Sequence, residues 1–227
     1  ASSVNNFVIV LLYKYIINMS YDYLFKLIFV GDTHVGKTAI TDRLVRDRYL
    51  GRYDSTIGVD FACVNTIINK KDRIKAHIWD TAGQESFSSI ISNYYKGIAG
   101  AAIVFDITRR DSFDRVDFWR QELQNKNTTA DLSILLIANK KDKTNRVVTT
   151  EEAQQYAEKY NLLYKETSAK TGENINEAFL SLIQNIYEKM DPEKLGTGIQ
   201  RHFLYDDKGI KILDNNYKKR NSCCCLS

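Results

Sequence analysis

Apolar residues are grouped along the chain in short uninterrupted blocks, separated by stretches with helical spacing. Leu27-Ile28-Phe29-Val30 and Ile134-Leu135-Leu136-Ile137 are continuous apolar runs. Such runs suit strands buried on both faces of a parallel sheet. Strands are predicted over Leu24–Val30, Phe61–Asn69, Arg73–Trp79, Ala101–Ile107, Ser133–Asn139 and Leu163–Thr167. Helices are predicted to begin near Lys37, Ser88, Asp111, Thr150 and Asn174. Asp111 stands before Ser112-Phe113 and reads as an N-cap, while Thr149-Thr150-Glu151-Glu152 offers a cap followed by first-turn acids. The order β-α-β-β-α-β-α-β-α predicts an α/β fold. We expect a doubly wound, mostly parallel six-stranded sheet with helices on both faces and a ligand at the carboxyl ends of the strands.

The same pattern divides the chain. Residues 21–190 form the predicted domain, and pattern fades after Met190. Residues 191–227 are expected to be a flexible tail, and residues 1–20 an N-terminal extension. Within that extension Phe7–Ile17 is apolar but broken by Lys14. It is shorter than the roughly 18–20 residues of a membrane span. No basic segment precedes it and no small-residue cleavage site follows. We expect Met19 to be the true start, with residues 1–18 upstream of it; the alternative is a short membrane-binding extension.

Composition narrows the classes. The 227 residues are 44% hydrophobic and 26% charged, with 32 basic against 28 acidic side chains and a net charge of +4. That profile excludes disorder over the whole length, and the charge is too small to argue for a nucleic-acid partner. Cys63 is alone, whereas Cys223, Cys224 and Cys225 are adjacent near the end. Neither a disulfide framework nor a zinc spacing results, so a cytosolic chain is expected, with a terminal cluster that raises lipidation.

Chemistry enters with Gly31-Asp32-Thr33-His34-Val35-Gly36-Lys37-Thr38, which fits G-x-x-x-x-G-K-[ST] between a strand and a helix. A backbone wrapped round phosphate must present several N–H groups inward, which demands tight turns and little bulk. Lys37 then places its charge on the phosphates, Thr38 offers a hydroxyl to Mg²⁺, and the helix N-terminus adds its dipole. Asn139-Lys140-Lys141-Asp142 follows a strand and selects the base. The Asp142 carboxylate can accept from both N1–H and the 2-amino group of guanine, whereas adenine would leave it facing an acceptor. The Asn139 amide is expected to reach N7, the Lys140 stem to lie along the ring, and the Ala169 N–H of Ser168-Ala169-Lys170 to bind O6. Trp79-Asp80-Thr81-Ala82-Gly83-Gln84-Glu85 ends another strand. Asp80 is expected to hold Mg²⁺ through water, Gly83 to approach the γ-phosphate, and Gln84 to orient the attacking water.

GDTHVGKT, STIGVDF, WDTAGQE, NKKD and SAK, in this order, resemble a Ras-superfamily small GTPase. Ile57-Gly58-Val59-Asp60-Phe61, Tyr94-Tyr95-Lys96-Gly97 and Phe105-Asp106-Ile107-Thr108 resemble its Rab branch. The resemblance implies a GTP/GDP switch that hydrolyses GTP with Mg²⁺ and recruits effectors on membranes in vesicle traffic. It implies that Thr56 joins Mg²⁺ when the γ-phosphate is present, that Tyr49 packs on the base and that Tyr53 closes over the phosphates. Phe61, Trp79 and Tyr94 would be an apolar triad read by effectors, with ordinary core packing as the alternative. Implied partners are an exchange factor, a GTPase-activating protein, a GDP-dissociation inhibitor or escort protein, and effectors. The chain departs from the family at His34, which replaces a small residue, and at Ser86, which replaces a basic one; Arg52 is a weak candidate for a cis finger. Cys223-Cys224-Cys225-Leu226-Ser227 reads as paired prenylation cysteines or as a C-a-a-X box at Cys224. With Lys218-Lys219-Arg220 beside it, the tail would anchor the protein to the cytoplasmic face of intracellular membranes, leaving a soluble pool.

Overall fold

The computed structural model describes residues 21–51, 53, 56, 58–83, 94–127 and 132–190, and the backbone of three short strands between 199 and 212. The chain runs β1 (Tyr23–Val30), α1 (Lys37–Arg46), β2 (Val59–Ile68), β3 (Asp72–Thr81), β4 (Gly100–Asp106), α2 (Arg110–Asp114), α3 (Val116–Lys126), β5 (Ser133–Asn139), α4 (Thr150–Lys159), β6 (Leu163–Glu166) and α5 (Ile175–Lys189). Beyond these lie β7 (Ile199–Arg201), β8 (Leu204–Tyr205) and β9 (Lys211–Ile212). The main sheet has the order β2-β3-β1-β4-β5-β6. Only the β2–β3 pair within that order is antiparallel. Asn69 and Lys70 turn that hairpin with positive φ (52° and 60°), the twist a tight hairpin favours.

The continuous apolar runs work as two interleaved sets. Leu27 and Phe29 point to one face, where α1 and α5 bring Ile40, Phe179, Leu182 and Ile186. Ile28 and Val30 point to the other, against Val116, Trp119 and Leu123 of α3 and Ala153 and Ala157 of α4. Period-two alternation thus divides one apolar run between two cores. The predicted doubly wound fold is what the chain adopts.

Three local readings change. The helix expected from Asp111 is two helices, α2 and α3, and Asp111 is not the cap. Arg109 occupies that position without a side-chain cap bond, and its Nη2 takes the Asp111 carboxylate at 2.6 Å. By contrast, Thr149 caps α4 as expected, accepting from the Glu152 N–H at 3.1 Å. β3 extends two residues past Trp79, which carries Asp80 and Thr81 on the ladder. Within the segment expected to lack elements, β7 pairs antiparallel with Tyr23–Phe25 of β1. The helix expected near Ser88 falls outside the described residues.

Candidate nucleotide-binding site

Loops after β1, β3, β5 and β6, together with residues between 49 and 56, line a cavity of about 500 Å³. Of the residues expected at the nucleotide, Thr33, His34, Gly36, Lys37, Thr38, Tyr49, Tyr53, Thr56, Gly83, Asn139, Lys140, Asp142, Ala169 and Lys170 line it. Ala39, Gly51 and Lys143 reach it too. Sequence reasoning missed these three. Lys143 had a signal, since it continues directly from Asp142.

Two glycines allow the backbone to close around this space. Gly36 has φ +103°, and a Cβ there would stand 2.3 Å from Asn139 Nδ2. A Cβ on Gly83 would stand 2.3 Å from the Thr33 nitrogen, so the end of β3 touches the β1 loop backbone to backbone. Helix α1 starts immediately, at Lys37, and carries no side-chain cap. Its first N–H groups and positive end are therefore available to an anion.

Lys37 is 5% exposed. Its Nζ donates to Gly31 O at 2.7 Å and to Asp32 O at 2.8 Å, which uses two of three N–H donors. Burial pushes the ammonium down to about 8, against the attraction of Asp80 and Asp32. An anion in the cavity would complete its coordination and favour its charged form.

Asp80 is 1% exposed. Burial pushes its carboxyl up to about 6 despite the Thr38 hydroxyl and Lys37 beside it. Thr38 Oγ1 donates to Asp80 Oδ2 at 2.5 Å and lies 2.9 Å from Thr56 Oγ1. The other carboxylate oxygen, Oδ1, is buried with no hydrogen-bond partner. An orphaned carboxylate oxygen beside two hydroxyls suits a hard cation that takes oxygen ligands and keeps some of its waters. Among the described residues no cluster of three or more His, Cys, Asp or Glu could hold a metal. A cation here would rest on hydroxyls, one carboxylate, water and ligand oxygens.

At the other end, Ser168 Oγ donates to Asp142 Oδ1 at 2.6 Å and fixes the carboxylate. Lys140, with φ +69°, donates from Nζ to His34 O at 2.8 Å and pairs with Asp106 at 2.6 Å. Its stem is thereby stretched along the cavity wall. His34 is exposed, also in the left-handed region (φ 63°), and contributes its carbonyl to that bond.

Four predicted residues have partners that the sequence did not reveal. The Asn139 amide is a tie between loops: Nδ2 donates to Val35 O at 2.8 Å, while Oδ1 accepts from Ala169 N at 3.2 Å and Thr167 Oγ1 at 3.3 Å. It is 1% exposed yet lines the cavity, and the bond to Val35 O uses one of the two Nδ2 hydrogens; the Ala169 N–H is engaged with its Oδ1. The Asp32 side chain turns away from the cavity to Trp119 Nε1 (2.9 Å) and Arg115 (3.0 Å). Val35 is fully buried in the core. Ser168 supports Asp142 from behind rather than lining the space. Gln84, Ser86, Arg52 and Cys223–Cys225 lie outside the described residues.

Phe61, Trp79 and Tyr94 do meet. Trp79 stands 4.9 Å from Phe61 and 4.8 Å from Tyr94, ring to ring. Phe61 and Trp79 face each other across the antiparallel pair, and Phe61 is 47% exposed.

The Ras family model matches residues 26–188. The chain belongs to the Ras family. This Ras-family protein is 41% identical over 210 residues to the GTP-binding protein ypt3 of Schizosaccharomyces pombe, covering 90% of this chain and 97% of that one. It is a Rab-like small GTPase that binds guanine nucleotide and hydrolyses GTP. The matched stretch contains every residue that lines the cavity.

Proposed function

We propose that this Rab-like GTPase holds GTP·Mg²⁺ in the cavity described above, with the base against Asp142 and the phosphates against residues 33–38, and works as a switch in vesicle traffic. The observation that carries the placement is the polarity of the cavity. A buried lysine and a free helix N-terminus stand at one end, and a carboxylate fixed by Ser168 stands at the other. Lys37 and the loop N–H groups bind the β- and γ-phosphates. Thr38, Thr56 and Asp80 would hold Mg²⁺, which supplies positive charge to the phosphate oxygens.

Gln84 orients a water toward the γ-phosphorus. The new P–O bond forms as the bridging bond to the β-phosphate breaks, and GDP leaves with the bridging oxygen. Intrinsic turnover is expected to be slow, with an activating partner supplying about 10³–10⁵-fold in trans. Loss of the γ-phosphate frees the segments carrying Thr56 and Gly83, which changes the surface around the Phe61-Trp79-Tyr94 cluster that effectors contact. Prenyl groups on two of Cys223–Cys225 hold the protein on membranes, since two chains anchor stably where one is marginal. Among the described residues no helix is long and apolar enough to cross a membrane.

Single-turnover hydrolysis of bound GTP tests the catalytic assignment. Gln84→Leu is expected to slow it at least tenfold with GTP affinity retained; an unchanged rate removes Gln84 from the mechanism. Intact mass from eukaryotic cells tests the anchor: two prenyl groups are expected, and an unmodified mass contradicts the assignment.

A further inference from the structure

Six residues beyond Lys37 on α1 stands Arg43, whose side chain is 16% exposed. All three guanidinium nitrogens are engaged. Nε donates to Ala169 O at 3.1 Å and Nη2 to Lys170 O at 2.9 Å. Nη1 donates to Asp47 O at 3.0 Å and Asp47 Oδ1 at 3.2 Å, which fastens the group to the end of its own helix. The Asp47 carboxylate is 93% exposed, so that ion pair contributes little. The two loop carbonyls are the main target.

A trans peptide points its C=O and N–H in opposite directions. A guanidinium that draws two successive carbonyls toward α1 therefore fixes the next two N–H groups on the far side. One is the Lys170 N–H, in a residue that lines the cavity. The other is the Thr171 N–H, which donates to Ser168 Oγ at 3.1 Å. While accepting that bond on one lone pair, the Ser168 hydroxyl donates its own proton to Asp142 Oδ1 at 2.6 Å. The relay runs from Arg43 through the Lys170–Thr171 peptide and Ser168 to the acidic side chain placed against the base. A flip of that peptide would present a carbonyl to Ser168 Oγ, take its proton and leave Asp142 without its support.

We infer that Arg43 is a positioning residue for base selection: it sets the direction of the peptides in the Ala169–Thr171 loop, and through Ser168 the orientation of Asp142. The inference rests on the proposed placement of guanine against Asp142. Arg43 itself touches no base. It ties the helix that begins at the phosphates to the loop that reads the purine, so its loss weakens guanine binding selectively. Adenine gains nothing from a fixed Asp142 and loses little.

The test compares fluorescent GDP, and competing ADP, on the full chain and on Arg43→Ala and Arg43→Lys. Wild type is expected to prefer GDP strongly; a wild type indifferent to the base overturns the guanine placement itself, before any variant is read. For Arg43→Ala, loss of two charge-assisted bonds predicts GDP dissociation faster by about tenfold or more, ADP affinity changed less than twofold, and the preference for GDP reduced accordingly. Arg43→Lys, which replaces the fork with a single point donor, should fall between. Wild-type dissociation within twofold, or equal weakening of GDP and ADP, would make Arg43 a plain structural residue and overturn the inference. Amide exchange in the GDP complex provides a second readout where Arg43→Ala fails to fold. Arg43→Lys should expose the Lys170 and Thr171 amides, and unchanged protection overturns the relay.

Discussion

Gly36 and Gly83 show how much of the cavity is built from atoms that are missing. Each stands where a single Cβ would come within 2.3 Å of another loop, closer than any carbon settles without movement. Gly36→Ala adds the cost of φ +103° for a residue with a side chain, of the order of 1–2 kcal/mol. Nucleotide retention should therefore fall at least about tenfold in either alanine variant, measured as the dissociation rate of bound GDP. Lys37→Ala removes an ammonium that has no solvent to fall back on. About 100-fold faster loss of GDP is expected from the charge-assisted bonds involved. The glycines, Lys37 and Asp142 were legible in the sequence because spacing alone demands them. Asn139 and Asp32 were not. Spacing placed them in the correct loops, but their partners, Val35 O and Ala169 N for one and Trp119 Nε1 for the other, come from distant parts of the chain.

At the scale of elements, two polar clusters hold the frame. Arg146 grips Glu166 at the end of β6 with both Nη atoms, at 2.8 and 2.9 Å, and the Thr150 and Tyr164 hydroxyls also donate to that carboxylate. Burial alone would push the Glu166 carboxyl up; the bonds from Arg146, Thr150 and Tyr164 outweigh it and hold the group below its ordinary value. A carboxylate depressed in the folded state stabilises above the unfolded pKa, and that contribution is lost as pH falls through the folded one. Melting temperature should thus drop more steeply below about pH 4.5 in wild type than in Glu166→Gln. Parallel curves would contradict the latch. The second cluster joins α3 to the phosphate loop through Asp32. Asp32→Ala leaves the Trp119 N–H buried and unpaired and should cost about 1–3 kcal/mol in denaturant unfolding. The misread cap belongs to the same scale. Asp111 has the composition of an N-cap, but Arg109, which also donates to Thr33 O at 2.9 Å, draws its carboxylate aside.

Across the whole molecule, the interior places of β1 and β5 in the sheet follow from their continuous apolar runs, which suit strands covered on both faces. The pattern gave no sign of β7. Three residues are too few for a period, and what defines the strand is the edge of β1 left open before its pairing with β4 begins at Leu27. Amide exchange at Tyr23–Phe25 should rise when the chain is cut after Met190 and stay protected in the full chain; equal rates would contradict the pairing. One cavity thus reads a purine at one end and a triphosphate at the other. The most direct measurement is competition of GDP and ADP for the purified protein, with Asp142→Ala alongside. GDP is expected to outcompete ADP by several orders of magnitude, and Asp142→Ala to abolish most of that margin. Equal competition by ADP in the wild type, or an undiminished margin in Asp142→Ala, would contradict it.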